Sequence, residues 1–152
     1  MLKNNFFVIF LCFTISITIS GIYFFRIEMP LYESIKIIHD SVANFDGVNN
    51  APWKYRILDQ ILSASFQLIL NIIFNNKISF QLSYIILNII SIFIFLLLCY
   101  YYFREFFNNS TSIIGILLIG ILLNIHLKDL FIANTILDSV FFVLALLLIK
   151  KE

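Results

Sequence analysis

The feature that most constrains this chain is the length of its uncharged stretches. Lys3 is followed by about 22 residues without a charge, Asn4 to Phe25, and about 20 apolar helical residues cross the ~30 Å core of a bilayer. Ile78 to Phe103 is a second such stretch, of about 26 residues. Ile113 to Ile125 and Phe131 to Ile149 follow, the last interrupted only by Asp138. A water-soluble globule of 152 residues has too little interior to hide runs of this kind. Composition agrees, since 61% of the residues are hydrophobic and 12% charged, where a soluble domain is nearer half and a quarter. Such a chain is not disordered. Its net charge of +1 supplies no basic field for phosphates, which excludes nucleic acid as a partner.

Helix is the conformation these runs predict. A barrel strand alternates polar and apolar residues, and the segment SIFIFLLLCYYYF does not. A helix also satisfies its own backbone groups in hydrocarbon. The expected fold is therefore all-α, a polytopic transmembrane helix bundle in one membrane domain, 1–152. Its spans are predicted at 5–25, 78–103, 111–125 and 131–149, with an outer loop carrying amphipathic helices at 26–77. The first run is longer than the apolar core of a signal peptide, about 7–15 residues, so it reads as a retained helix. Cys12 and Cys99 lie inside apolar runs and read as core residues, neither a disulfide framework nor a metal pair.

One segment admits two readings. Gln60, Ser63, Gln67 and Asn71 recur at steps of three or four, which places them on one stripe of a helix over 60–74. Such a helix lies in the membrane interface, or it spans with its polar stripe against neighbours, giving five transmembrane helices. The interfacial reading is favoured. With a cytoplasmic N-terminus it puts Lys3, Arg104 and Lys150-Lys151 at inner span ends, as the positive-inside rule prefers. The expected location is the inner (plasma) membrane, and the expected partner is the lipid bilayer.

Chemistry, if any, belongs to the stretch from Arg26 to Asp59. It holds Glu28, Glu33, His39, Asp40, Asp46, Lys54 and Arg56. Leu31–Val42 has helical spacing, and NFDGVNNAP is rich in turn formers. Trp53 and Tyr55 are the rings expected at headgroup level. A solvated loop with an aromatic anchor explains all of this. The sharper reading makes Asp40 and Asp46 candidate bases or metal ligands and Arg56 a clamp for a phosphate, because its planar fork holds two oxygens. Asp138 is an acid inside a span, which costs about 2.5–3.5 kcal/mol at mid-helix. It either faces the bundle or a wet cavity, or caps the start of a shorter helix after Asn134-Thr135. His39 and His126 have no partner at metal-ligand spacing. HExxH, Walker, GxSxG and CxxC motifs are all missing.

In order along the chain, three segments resemble bacterial membrane proteins related to the GT-C glycosyltransferases. YESIKIIHDSVANFDG is similar to their acid-bearing first outer loop. APWKYRILDQIL is similar to a Pro-x-x-Tyr-Arg-(Val/Ile)-Leu segment, with Asp59 where the family often has Pro. TILDSVFFVLALLL resembles their Asp followed by a long aliphatic helix. The resemblance implies transfer of a sugar from a polyprenyl-phosphate donor on the non-cytoplasmic face. It implies catalytic roles for Asp46 or Asp40, donor contacts from Arg56 with Tyr55 and Lys54 beside it, and Asp138 in the cavity wall. A divalent metal is compatible with that scheme, though no metal site is assigned. Such enzymes have many more spans, so this chain is expected to be the N-terminal portion of a longer protein. Two other readings stay open: a small non-catalytic membrane protein acting through helix–helix contacts, and a transporter or flippase fragment with Asp138 in a polar pathway.

Overall fold

A computed structural model describes residues 2–24, 57–126 and 134–150. Five helices fill almost all of that length: α1 (Leu2–Tyr23), α2 (Ile57–Leu70), α3 (Asn76–Arg104), α4 (Asn109–His126) and α5 (Asn134–Ile149). The described residues contain no strand. The all-helical expectation therefore holds. The structure does not reproduce four helices of spanning length. Among the described residues only α3, with 29 residues, is long and apolar enough to cross a membrane; the apolar stretches of the other helices are shorter. The helix expected over Leu31–Val42 lies outside the described residues.

Contacts group the chain into two compact units, one made of 1–22 with 88–152, the other of 23–87. In the first, α1 meets the second half of α3 through Phe13 and Phe93, whose rings stand edge to face with centroids 6.0 Å apart. Each helix buries a row of residues at steps of four or three: Val8, Cys12, Ser16 and Ser20 on α1; Asn88, Ile92, Leu96 and Cys99 on α3; Ser112 and Ile116 on α4; Ile136, Val140 and Val143 on α5. Rows at this spacing are the ridges by which helices interdigitate. Two glycines let α4 come close. A Cβ on Gly115 would lie 2.8 Å from the Phe103 ring of α3, and one on Gly120 would lie 3.0 Å from Cγ2 of Ile15 on α1.

The outward surface of this packing is not the one water selects. Ser16, Ser20, Ser91, Ser112 and Asn88 are buried beside the apolar rows, while Phe6, Phe10, Leu118, Ile121, Phe142 and Leu148 are outside, Phe6 with 73% of its surface exposed. The outward hydroxyls are satisfied within their own helices. Thr14 Oγ1 donates to the Phe10 carbonyl and Thr18 Oγ1 to the Thr14 carbonyl, each at 2.9 Å. Back-bonded in this way, a threonine presents its methyl group outward and leaves no donor unpaired.

The second unit contains α2 and the start of α3. Ser63, Ser79, Phe80, Ser83 and Leu87 are buried there, and Phe80 packs on Tyr84 at 5.0 Å. The sequence of both α3 and α4 opens with the same device, Asn-Asn-x-x-Ser. The first Asn lies just outside the helix and caps it: Asn75 Oδ1 accepts from Ile78 N at 3.0 Å, and Asn108 Oδ1 accepts from Thr111 N at 2.9 Å. Each cap satisfies a backbone donor that would otherwise be orphaned at a helix start.

Candidate functional site

The best-defined polar constellation gathers around the turn between α3 and α4. Asn108 anchors it, since its Oδ1 accepts from both the backbone N and the hydroxyl of Thr111 at 2.9 Å. Ser112 Oγ donates to the Asn108 carbonyl at 2.9 Å. The Tyr100 hydroxyl donates to Asn109 Oδ1 at 2.6 Å, tying the last turns of α3 to the first turn of α4. Lys150, just past α5, reaches the same turn. Its Nζ donates to Glu105 Oε2 at 3.2 Å and sits 4.1 Å from the centroid of the Phe106 ring. The Tyr102 ring packs on the Phe106 ring with centroids 5.2 Å apart.

This turn thus brings Arg104, Glu105 and Lys150 to one end of the first unit. The pair is open to solvent, so it is worth at most about 1 kcal/mol; the cation over Phe106 adds about 0.5–1 kcal/mol. Its chemistry is that of an anchor. It gathers a compact cation, a carboxylate and several rings at one turn. They do not make a nucleophile with a base. Sequence reasoning saw the cations at Arg104 and Lys150 but not their convergence. Only the short turn at 105–108 and the return of α5 put Lys150 beside Glu105.

A second polar feature is internal. Ser20 and Ser91 are buried, and neither hydroxyl has a hydrogen-bond partner in the structure. By contrast, Ser16 Oγ donates to the Phe13 carbonyl at 2.7 Å. The inward serines of α1 and α3 are small enough to let backbones approach, which is how helices associate when hydrocarbon removes the hydrophobic drive.

Asp40, Asp46, Lys54, Tyr55 and Arg56, the residues expected to carry catalysis and donor binding, lie outside the described residues. Asp138 is described, and it stands in the second turn of α5 with its side chain exposed. The helix already begins at Asn134, and its first turn holds no acid. Asn134-Thr135 are therefore part of the helix, which corrects the expectation that Asp138 caps a shorter one. The favourable effect of a helix N-terminus fades within the first turn, so little of it reaches Asp138. With four residues of rise, about 6 Å, separating it from the helix start, Asp138 lies near the end of α5 opposite to Lys150. No group of three or more His, Cys, Asp or Glu side chains stands together among the described residues. The chain matches no protein-family model, no curated protein and no solved structure.

Proposed function

We propose that this chain is a multi-span membrane protein in which α1, α3, α4 and α5 cross the inner membrane with the N-terminus cytoplasmic. We further propose that it works as a GT-C-like glycosyltransferase on a polyprenyl-phosphate sugar at the non-cytoplasmic face. The observation that carries the membrane reading is the outward surface, where large apolar side chains are exposed on every helix while several serines are buried. In water that arrangement would expose large apolar patches on every helix. In lipid it costs nothing, and the polar residues hold the helices together. The glycosyltransferase reading rests on the acid-bearing loop, the PWKYRIL segment and Asp138.

The proposed chemistry needs a base and a clamp. The carboxylate of Asp46 or Asp40 takes the proton of the acceptor hydroxyl as its oxygen attacks the anomeric carbon. The bond from that carbon to the carrier phosphate breaks in the same event. Arg56 pairs with the leaving phosphate through two parallel N–H donors. Asp138 lines the cavity near the membrane surface, where a carboxylate is less costly than at mid-span. The test is sugar transfer from a polyprenyl-phosphate donor by membranes carrying the protein. Asp46→Ala and Asp138→Ala should each reduce transfer to background while the protein stays in the membrane. Unchanged transfer in both would remove the site assignment.

A further inference from the structure

The helix α2 wears its polarity inside out, and its length and tether say what covers it. Ser63 is 1% exposed, while Leu68 is 71% and Ile72 83% exposed. The outward residues Ile61, Ser65, Leu68, Ile69 and Ile72 follow the helical repeat and form one stripe; Ser63 is on the opposite side. The one polar member of that stripe is neutralised internally, since Ser65 Oγ donates to the Ile61 carbonyl at 2.7 Å. The stripe runs on into the turn, where Ile73 and Phe74 are exposed as well. A helix in water would turn this face inward.

Two lengths narrow the occupant. Among the described helices α2 is the shortest, 14 residues or about 21 Å against a ~30 Å hydrocarbon core. Only residues 71–75 separate it from α3, the helix long enough to cross. Five residues reach at most about 17 Å. The end of α2 is therefore held close to the membrane surface at which α3 begins, marked by the polar Asn75, Asn76 and Lys77.

We infer that α2 and its turn form a wedge lying in one leaflet, with Ile61, Leu68, Ile69, Ile72, Ile73 and Phe74 seated on lipid acyl chains just below the headgroups. This rests on the membrane reading of α3 and adds a depth and a facing side for α2. A helix of this kind buries its apolar face about 5–10 Å into the headgroup–acyl boundary.

The experiment uses the full chain in vesicles of phosphatidylcholine and phosphatidylglycerol in equal parts. Trp53, the single tryptophan, is replaced by Phe. Tryptophan is then introduced at Ile69 or, separately, at Ile72, both already outward and apolar. A third variant carries it at Ile90, midway along α3. Fluorescence is quenched with lipids brominated near either the carboxyl or the methyl end of the acyl chain. Ile69→Trp and Ile72→Trp should be quenched at least about twofold more by the shallow bromines, and Ile90→Trp by the deep ones. Deep quenching at Ile69 and Ile72 would overturn the wedge, because α2 would then reach the bilayer centre. Absence of bromine quenching there, with Ile90 quenched, would also overturn it and point to a protein cover. Absence of quenching at Ile90 itself would instead refute the membrane reading on which the inference rests.

Discussion

The approach of α4 to its neighbours can be tested with three glycines that differ in what surrounds them. An alanine at Gly21 of α1 meets nothing within 4 Å. It should therefore gain the ordinary helix benefit, about 0.5–1 kcal/mol. An alanine at Gly120 puts a methyl 3.0 Å from Ile15 Cγ2. The neighbour must give by a few tenths of an ångström, and that cost roughly cancels the benefit. At Gly115 the methyl would sit 2.8 Å from both Cδ2 and Cε2 of Phe103. A ring edge cannot slide away as a flexible chain end does, so overpacking of about 1–3 kcal/mol applies. Subtracting the helix benefit leaves a net loss of about 1 kcal/mol. The order is thus Gly21→Ala above wild type, Gly120→Ala near it and Gly115→Ala below it, with about 2 kcal/mol between the extremes. Equilibrium unfolding in mixed detergent micelles, followed by circular dichroism, reads this spread. Phe103→Leu in the Gly115→Ala background should show a favourable coupling of about 0.5–3 kcal/mol in a double-mutant cycle. If Gly115→Ala were as stable as Gly21→Ala, the close packing of α4 on α3 would be wrong.

The same unfolding assay checks two further points. Asn108→Ala should cost about 1 kcal/mol through loss of the α4 cap, whereas Asn108→Asp, which keeps the acceptor, should stay within about 0.5 kcal/mol of wild type. Ser91→Ala removes a buried hydroxyl that has no partner, so it should leave stability unchanged or raise it by about 1 kcal/mol. A clear loss of stability in Ser91→Ala would mean that this hydroxyl is bonded after all.

The helix positions were legible because charged and amide residues punctuate the chain. The segments expected at 5–25, 78–103, 111–125 and 131–149 fall on helices at 2–23, 76–104, 109–126 and 134–149, with ends shifted by at most three residues. The facing of those helices was not legible. A helix that is apolar all round has no stripe to mark its inner side, and only the structure separates inward Ser16 and Ser20 from outward Thr14 and Thr18. In α2 the sequence did show a polar stripe, and it is Ser63 of that stripe that turns inward. The N-caps at Asn75 and Asn108 were not read from the sequence, although Asn-Asn-x-x-Ser occurs twice. The meeting of Lys150 with Glu105 depends on the return of α5 across the unit, a relation between residues 45 apart in the chain. The expected site is carried by Asp40, Asp46, Lys54, Tyr55 and Arg56, which lie outside the described residues, so its geometry was not legible beyond the exposed setting of Asp138.

The central claim is that the helices cross a bilayer with α2 on one side of it. Single cysteines at Ser41, Ser110 and Asn134, in a background where Cys12 and Cys99 are alanine, test this most directly in intact cells. A membrane-impermeant thiol reagent should label Ser41→Cys and Asn134→Cys from outside, and Ser110→Cys only after the cells are opened. Labelling of Ser110→Cys from outside, or equal labelling of all three, would contradict the account.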